Sequence, residues 1–381
     1  SKAINPYVEI DEYFELAKGP VAQLVFSNTT EAGIAFDKTD KPGEGELAKT
    51  YPGKLTQLLK KRFDYFSGDS DKGLDVIPCE LIEQNGTKLK ECVLQYINLW
   101  NLGSEFLGWV DTSCSFANTL VDRIVPGYPK DEIETLLKRI GEPDKLVVKS
   151  ETFHLFVIQT VDKVKELFPA HKLGLNVKFV DDITPYRTQK VRILNGAHTS
   201  MVPIGLLYGL KTVSETIDHQ QTGKLIHDLI YNEIVPTIQI PGEDPKDFAD
   251  AVINRFQNPF IRHELISISL NSISKFKVRV LPTFKDYIFQ KDELPKVMTF
   301  SLACLLQLYT TGEFDLKDDQ SNLDFFNSIK VLPTNDLVTK ALSNSELWDE
   351  DLTQIDGLAD LIVEHFEHIT SSSMKEAIHN I

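Results

Sequence analysis

The chain has 381 residues, 42% hydrophobic and 25% charged, which is enough apolar material for substantial cores and enough length for two domains. Its 56 acidic against 40 basic residues leave a formal net charge of −16. A field of that sign repels phosphate backbones and anionic lipid, and so argues against nucleic acid or a membrane surface as a partner. It also sets a puzzle, because any anionic small molecule would need a local basic pocket working against the global charge.

Taken in chain order, residues 20–30 (PVAQLVFSNTT) are β-rich and end in a polar turn. GKLTQLLKKRFDYF (53–66) puts Leu55, Leu58, Leu59 and Phe63 on one helical stripe. GLDVIPCELI (73–82) is an apolar run of strand length followed by the turn signal Asn85-Gly86, and TKLKECVLQYINLW (87–100) is helical again. GWVDTSCSF (108–116) reads as a short strand and KDEIETLLKRIG (130–141) as a helix ending at Gly141. This alternation of short apolar strands and helices predicts a partial Rossmann-like parallel α/β sheet domain over 1–150. KLVVKSETFHLFVIQT and LNVKFVDDITPY add possible strands. Helical periodicity then dominates over 189–211, 222–235, 244–256, 260–275, 295–310, 334–344 and 357–369, which predicts a mostly α-helical substrate or catalytic domain over 151–381. The boundary belongs somewhere in 142–185.

Cys79, Cys92, Cys114 and Cys304 show no metal-ligand spacing and read as reduced thiols, and SKAINPYVEIDEY has no signal-peptide character. VMTFSLACLLQLY (297–309) is too short to span a bilayer. The expectation is a cytoplasmic protein. GxGxxG, P-loop and GxSxG patterns are absent; GEGE at 43–46 comes nearest and sits in a charged loop. His263-Glu264 starts an HExxH pattern that fails at Ser267. His365 and His368 lie three apart on a terminal helix and read as its solvated side, so no metal is expected.

The informative stretch is KVRILNGAH (190–198). On an α-helix at about 100° per residue from Lys190, Leu194 falls near 40°, His198 near 80°, Val191 near 100° and Asn195 near 140°. A lysine, an amide and an imidazole thus share an apolar sector, where each costs roughly 2–7 kcal/mol if left without a partner. One reading makes Asn195 and His198 satisfied core residues, with Lys190 snorkelling outward. The other makes them converge on a polar ligand. A desolvated lysine then serves as general acid–base, Asn195 donates to a carbonyl oxygen and His198 holds a hydroxyl, a kit for interconverting a ketone and an alcohol.

The spacing Lys190-x4-Asn195-x2-His198 resembles the signature of the long-chain, metal-independent polyol dehydrogenases, the mannitol dehydrogenase family. SNTTEAGI (27–34), PCELIEQNG (78–86), FANTLVDRIVP (116–126), DDITPY (181–186) and NPFIRHELISISLNSISKFKVRVLPT (258–283) are similar to its other motifs in the same order. Within the family, Cys79-Glu80-Leu81 resembles the branch that reduces keto-hexuronates. The resemblance implies hydride transfer between NAD(H) and a keto-hexuronate/aldonate pair, tagaturonate and altronate, with an anionic sugar acid as substrate. It makes Lys190 the general acid in reduction, with Asn195 and Asn85 as two arms of a carbonyl-polarising hole. His198 would orient hydroxyls, Asp122 would hold Lys190 or a substrate group, and Thr29, Thr30 and Glu31 would lie at the cofactor edge. Asn85 as a plain turn residue and Asp122 as a partner of Arg123 are the structural alternatives.

Three residues before the lysine, polyol-oxidising members carry a glutamate; Arg187 stands there. A cation at that point suits a uronate carboxylate, and Lys275 and Arg279 are further carboxylate candidates; the alternative for all three is surface charge near helix ends. The family's GxGxF nucleotide loop normally precedes these motifs, so the resemblance implies a chain that starts after the first strands of its nucleotide domain, and places NAD binding by this chain in question. The runner-up readings are a fructuronate reductase or mannitol-type dehydrogenase, and an inert helical ligand-holding or oligomerising fragment.

Overall fold

A computed structural model describes the whole chain except residues 1, 2, 31, 44, 126, 160, 161, 261 and 380, and the side chain of 162. Glu31, expected at the cofactor edge, therefore lies outside the described residues. The chain divides into two compact units, Ser1–Ile183 and Thr184–Ile381. The division comes after Ile183 instead of at 150 because β4 (Asn118–Asp122), β5 (Leu155–Gln159) and β6 (Val177–Val180) form one hydrogen-bonded sheet, which keeps 151–183 with the first unit.

The first unit holds two three-stranded sheets. β1 (Leu24–Ser27), β2 (Asp75–Pro78) and β3 (Ser115–Phe116) run parallel in that order. In the second sheet β5 pairs antiparallel with β4 and parallel with β6, so this part is mixed where an all-parallel sheet was expected. The Tyr51–Tyr65 helix presents the predicted stripe: Leu55, Leu58 and Leu59 are buried against Leu89, Val93 and Ile97 of the Asn85–Leu99 helix. Arg62 is buried on the same helix because four carbonyls receive its guanidinium, those of Lys72, Ala17, Gly19 and Ala22, at 2.6–2.9 Å. Most of the strand expected over 108–116 is instead the end of a helix (Ser104–Ser113). Phe106, Trp109 and Val110 recur at helical spacing and drop into the same core, and Ser115–Phe116 alone pair as strand.

Among the described residues the regular elements of the second unit are all helices. At its centre the Lys296–Thr310 helix is buried on nearly every side and packs against the Ala197–Tyr208 and Leu358–Ser371 helices, with the Ser301 hydroxyl donating to the Ser200 carbonyl at 2.9 Å. Its all-round apolarity is that of a core helix. Among the described residues no helix is long and apolar enough to cross a membrane. The helix expected over 260–275 breaks at Asn271, whose φ of 54° separates the short Leu265–Ile268 turn from the Ser272–Arg279 helix.

Candidate active site

The Thr184–Gln189 helix does not continue into Lys190 as α-helix: Lys190–Gly196 is a π-helix, followed by α-helix over Ala197–Tyr208. The α-helical angles used above therefore need correction. A ladder of i→i+5 hydrogen bonds widens the turn and reduces the rotation per residue. Lys190 and Asn195, five apart, lie far round from one another on an α-helix; the wider turn brings them toward one side. His198 follows three residues into the α-helix, one turn on from Asn195. Leu194 and Ile193 are buried in the turn, while Lys190, Asn195 and His198 are half-buried.

His198 is the best-defined member of the group. Its ring lies 4.4 Å from that of Phe256 and 5.1 Å, edge-on, from that of His263. Its Nε2 is buried and has no hydrogen-bond partner. Burial holds the imidazole well below the usual histidine range, and the nearby positive groups of His263, Arg255, Arg279 and Lys275 add to the effect. His198 is therefore neutral, with one buried ring nitrogen unclaimed. Burial also lowers His263.

Lys275 and Arg279 stand one turn apart on the Ser272–Arg279 helix, both half-buried, not splayed into solvent as surface charges would be. Burial lowers the Lys275 amine first, the Arg279 charge lowers it further and Asp318 partly offsets this; the Lys275 Nζ donates to the Ile268 carbonyl at 2.9 Å. Burial likewise lowers Arg279. The structure thus groups His198 with Lys275, Arg279 and two residues that sequence patterns had not selected. Arg255 ends the Pro245–Phe256 helix just before the Asn258-Pro259 break, and His263 had been set aside with the failed HExxH pattern. Arg187 is half-buried on the Thr184–Gln189 helix.

In the first unit, Asn85 opens the Asn85–Leu99 helix with its side chain fully buried. Its Nδ2 donates to the Pro78 and Glu80 carbonyls and to the Thr119 hydroxyl at 3.0–3.1 Å, and its Oδ1 accepts from the Gly86 and Thr119 amides at 2.9 Å. Two amide hydrogens shared among three acceptors leave none for a substrate oxygen. The expected arm of a carbonyl-polarising hole is instead a staple joining the end of β2, the start of the helix and β4. Gly86 permits this seating, since a Cβ there would fall 2.3 Å from the Ala117 carbonyl oxygen.

Asp122 is buried at the end of β4, and the Arg123 guanidinium donates to the Glu151 carbonyl at 2.9 and 3.1 Å. Thr29 and Thr30 are exposed just past the carboxyl end of β1. Buried Glu80 organises this turn: its carboxylate accepts from the Ser27 hydroxyl at 2.9 Å, and from the Thr29 amide and hydroxyl at 3.0 and 2.8 Å. Among the described residues no group of three His, Cys, Asp or Glu side chains is placed to hold a metal. His365 is buried edge-on to Phe300, and burial lowers it to about 4, so it does not sit on the solvated side as expected.

Two family models match in tandem, the mannitol dehydrogenase Rossmann domain over residues 2–170 and the mannitol dehydrogenase C-terminal domain over 182–370. An altronate oxidoreductase of Bacillus subtilis (strain 168) is 44% identical, with 99% of this chain and 78% of the relative covered. One from Bacteroides thetaiotaomicron is 43% identical, with 100% and 81% covered. Among solved structures, a D-sorbitol dehydrogenase in substrate-free form shares the fold at a TM-score of 0.80 and 20% identity, covering 98% of this chain and 78% of that one. A Pseudomonas fluorescens mannitol 2-dehydrogenase, solved with NAD and D-mannitol, gives 0.61 and 19%, covering 98% and 77%. With both models together spanning nearly its whole length, the chain belongs to the mannitol dehydrogenase family of oxidoreductases.

Proposed function

We propose that the protein interconverts tagaturonate and altronate, with Lys190 as the general acid in reduction and the general base in oxidation. The substrate comes from the altronate oxidoreductases to which the chain is similar over 99–100% of its length. The observation that carries the reading is the gathering of Arg255, His263, Lys275 and Arg279 around a neutral His198 with an unclaimed Nε2, in a chain of net charge −16. The half-buried cations Arg255, Lys275 and Arg279 held together in this way are suited to a carboxylate, with Arg279 able to grip it in bidentate fashion.

In this reading Lys190 passes a proton to the substrate oxygen as it becomes an alkoxide, and the Asn195 amide stabilises the charge developing there. The neutral His198 fixes a hydroxyl through Nε2, and Arg187 holds a further polar group of the sugar acid. NAD(H) supplies the hydride. Thr29 and Thr30 are the proposed cofactor contacts, because dinucleotides lie outside the carboxyl ends of parallel strands and Glu80 already holds this turn rigid. A cytoplasmic location belongs to the same proposal. The test is NADH oxidation with tagaturonate, fructuronate and fructose, comparing the unaltered protein with Lys190→Met. Turnover falling by roughly 10²–10⁴ with an unchanged melting temperature is expected. A preference for fructose, or a mutant with ordinary turnover, refutes the reading.

A further inference from the structure

Gly196 closes the π-helix in ordinary helical geometry, at φ −65° and ψ −47°. Nothing in that backbone conformation requires glycine, and alanine is favoured at such a position by about 1 kcal/mol. Space is what demands it. A Cβ at 196 would meet the backbone carbonyl oxygen of Arg279 at 3.2 Å and that of Val191 at 3.6 Å. The first contact is tighter than side chains normally adopt. The neighbour is the last residue of the helix that carries Lys275, so it cannot swing aside as the tip of a flexible side chain does.

We propose that Gly196 is a positioning residue: it lets the widened turn bearing Lys190 and Asn195 seat directly on the Ser272–Arg279 helix, so that proton donor, polarising amide and carboxylate-binding cations keep one fixed arrangement. This rests on the reading of Lys190 and Lys275 given above. The Thr199 hydroxyl, bonded at 2.8 Å to the Asn195 carbonyl, holds the same turn from its other end. A methyl group at 196 must push the turn and the helix apart by a few tenths of an ångström. Misplacement by about 1 Å costs roughly 100-fold in rate, so a shift of this size corresponds to about a 10-fold fall.

The test is Gly196→Ala and Gly196→Val in the full chain, with kcat measured on whichever keto-sugar the unaltered protein reduces, so that a wrong sugar assignment leaves the test intact. The expected result is a graded loss, about 10-fold for alanine and more for valine. The KM for NADH should not move, and the alanine variant should melt only a few degrees below the unaltered protein, because the helix propensity gained offsets part of the contact, and so stay fully folded at the assay temperature. A purely structural glycine gives a different pattern, in which activity falls only as far as the folded fraction does. Unaltered kcat in Gly196→Ala, or loss of activity and melting temperature in step, overturns the proposal.

Discussion

Replacing Glu233 by glutamine should change how the stability of the helical unit depends on pH, in a direction opposite to that of most carboxylates. Glu233 is buried, and its two carboxylate oxygens accept from the Val297 and Met298 amides at 2.6 and 2.9 Å, in the first turn of the central Lys296–Thr310 helix. No side chain caps that helix from its own N-cap position, Pro295, so Glu233 does so from a distance. Burial raises the carboxyl from 4.5 to about 7; the amide bonds pull it down without overcoming burial, and the charge of Asp228 adds to the rise. Asp228 lies five residues earlier, at the start of a second π-helix (Leu229–Ile234). Tyr287 is the other titratable group facing the carboxyl.

The folded protein therefore binds this proton more tightly than the unfolded chain. Its contribution to stability is complete below about pH 4.5 and is lost as the pH rises towards 7, a change of about 3 kcal/mol. Urea unfolding of both proteins between pH 5 and 8 measures it. At pH 5 Glu233→Gln should be slightly the less stable, because the glutamine amide turns one N–H toward a backbone N–H. By pH 8 it should have gained up to about 3 kcal/mol on the unaltered protein. His198 and His365, whose lowered values make stability rise with pH, are common to both proteins and cancel in the difference. Parallel pH profiles would show that Glu233 does not titrate in this range, and the reasoning fails.

Asn85→Ala should act through the fold of the first unit, since it takes the acceptor from the buried Gly86 and Thr119 amides at about 1–3 kcal/mol each; an unchanged melting temperature contradicts the staple. Lys275→Met should raise the KM for a keto-hexuronate by about 10–100-fold while altering that for an uncharged ketose little, because a hydrogen bond to a charged group is worth about 1.5–3 kcal/mol. Equal effects on both sugars would remove Lys275 from carboxylate recognition.

Much of this was legible in the residues. The Leu55/Leu58/Leu59 stripe, the apolar run of β2 and the apolar 297–309 segment each bury as their periodicity requires. Three features were not. Periodicity cannot separate a short strand from a short stretch of buried helix, which is how Trp109 and Val110 misled. A π-turn leaves no compositional mark, because it inserts one residue without changing the chemistry of any. The apolar sector shared by Lys190, Asn195 and His198 was visible from the start, but at α-helical angles it put about 140° between Lys190 and Asn195, which the wider turn reduces. The polar staple of Asn85 was hidden for another reason: an Asn-Gly pair signals a turn, while here it opens a helix after Gln84 in the left-handed region.

The charge puzzle also resolves at the level of distance. Exposed charges act over a Debye length of about 8 Å at physiological salt, so the acids that make up the −16 are largely screened from a buried cluster. Inside the cluster the terms are local and less screened: Arg279 lowers Lys275, and both, with Arg255 and His263, hold His198 neutral. Burial is the first cause of each of these directions, and at His198 and Lys275 repulsion from the neighbouring positive groups adds to it, with Asp318 offsetting part of it at Lys275. An incoming carboxylate relieves that repulsion as well as making its own hydrogen bonds, so binding should raise the protonation of the cluster and draw protons from solution. An uncharged polyol would give no such relief, so a keto-hexuronate should take up protons on binding and a neutral ketose should not; equal proton uptake with both, measured by calorimetry in buffers of different ionisation enthalpy, would refute the proposed carboxylate site.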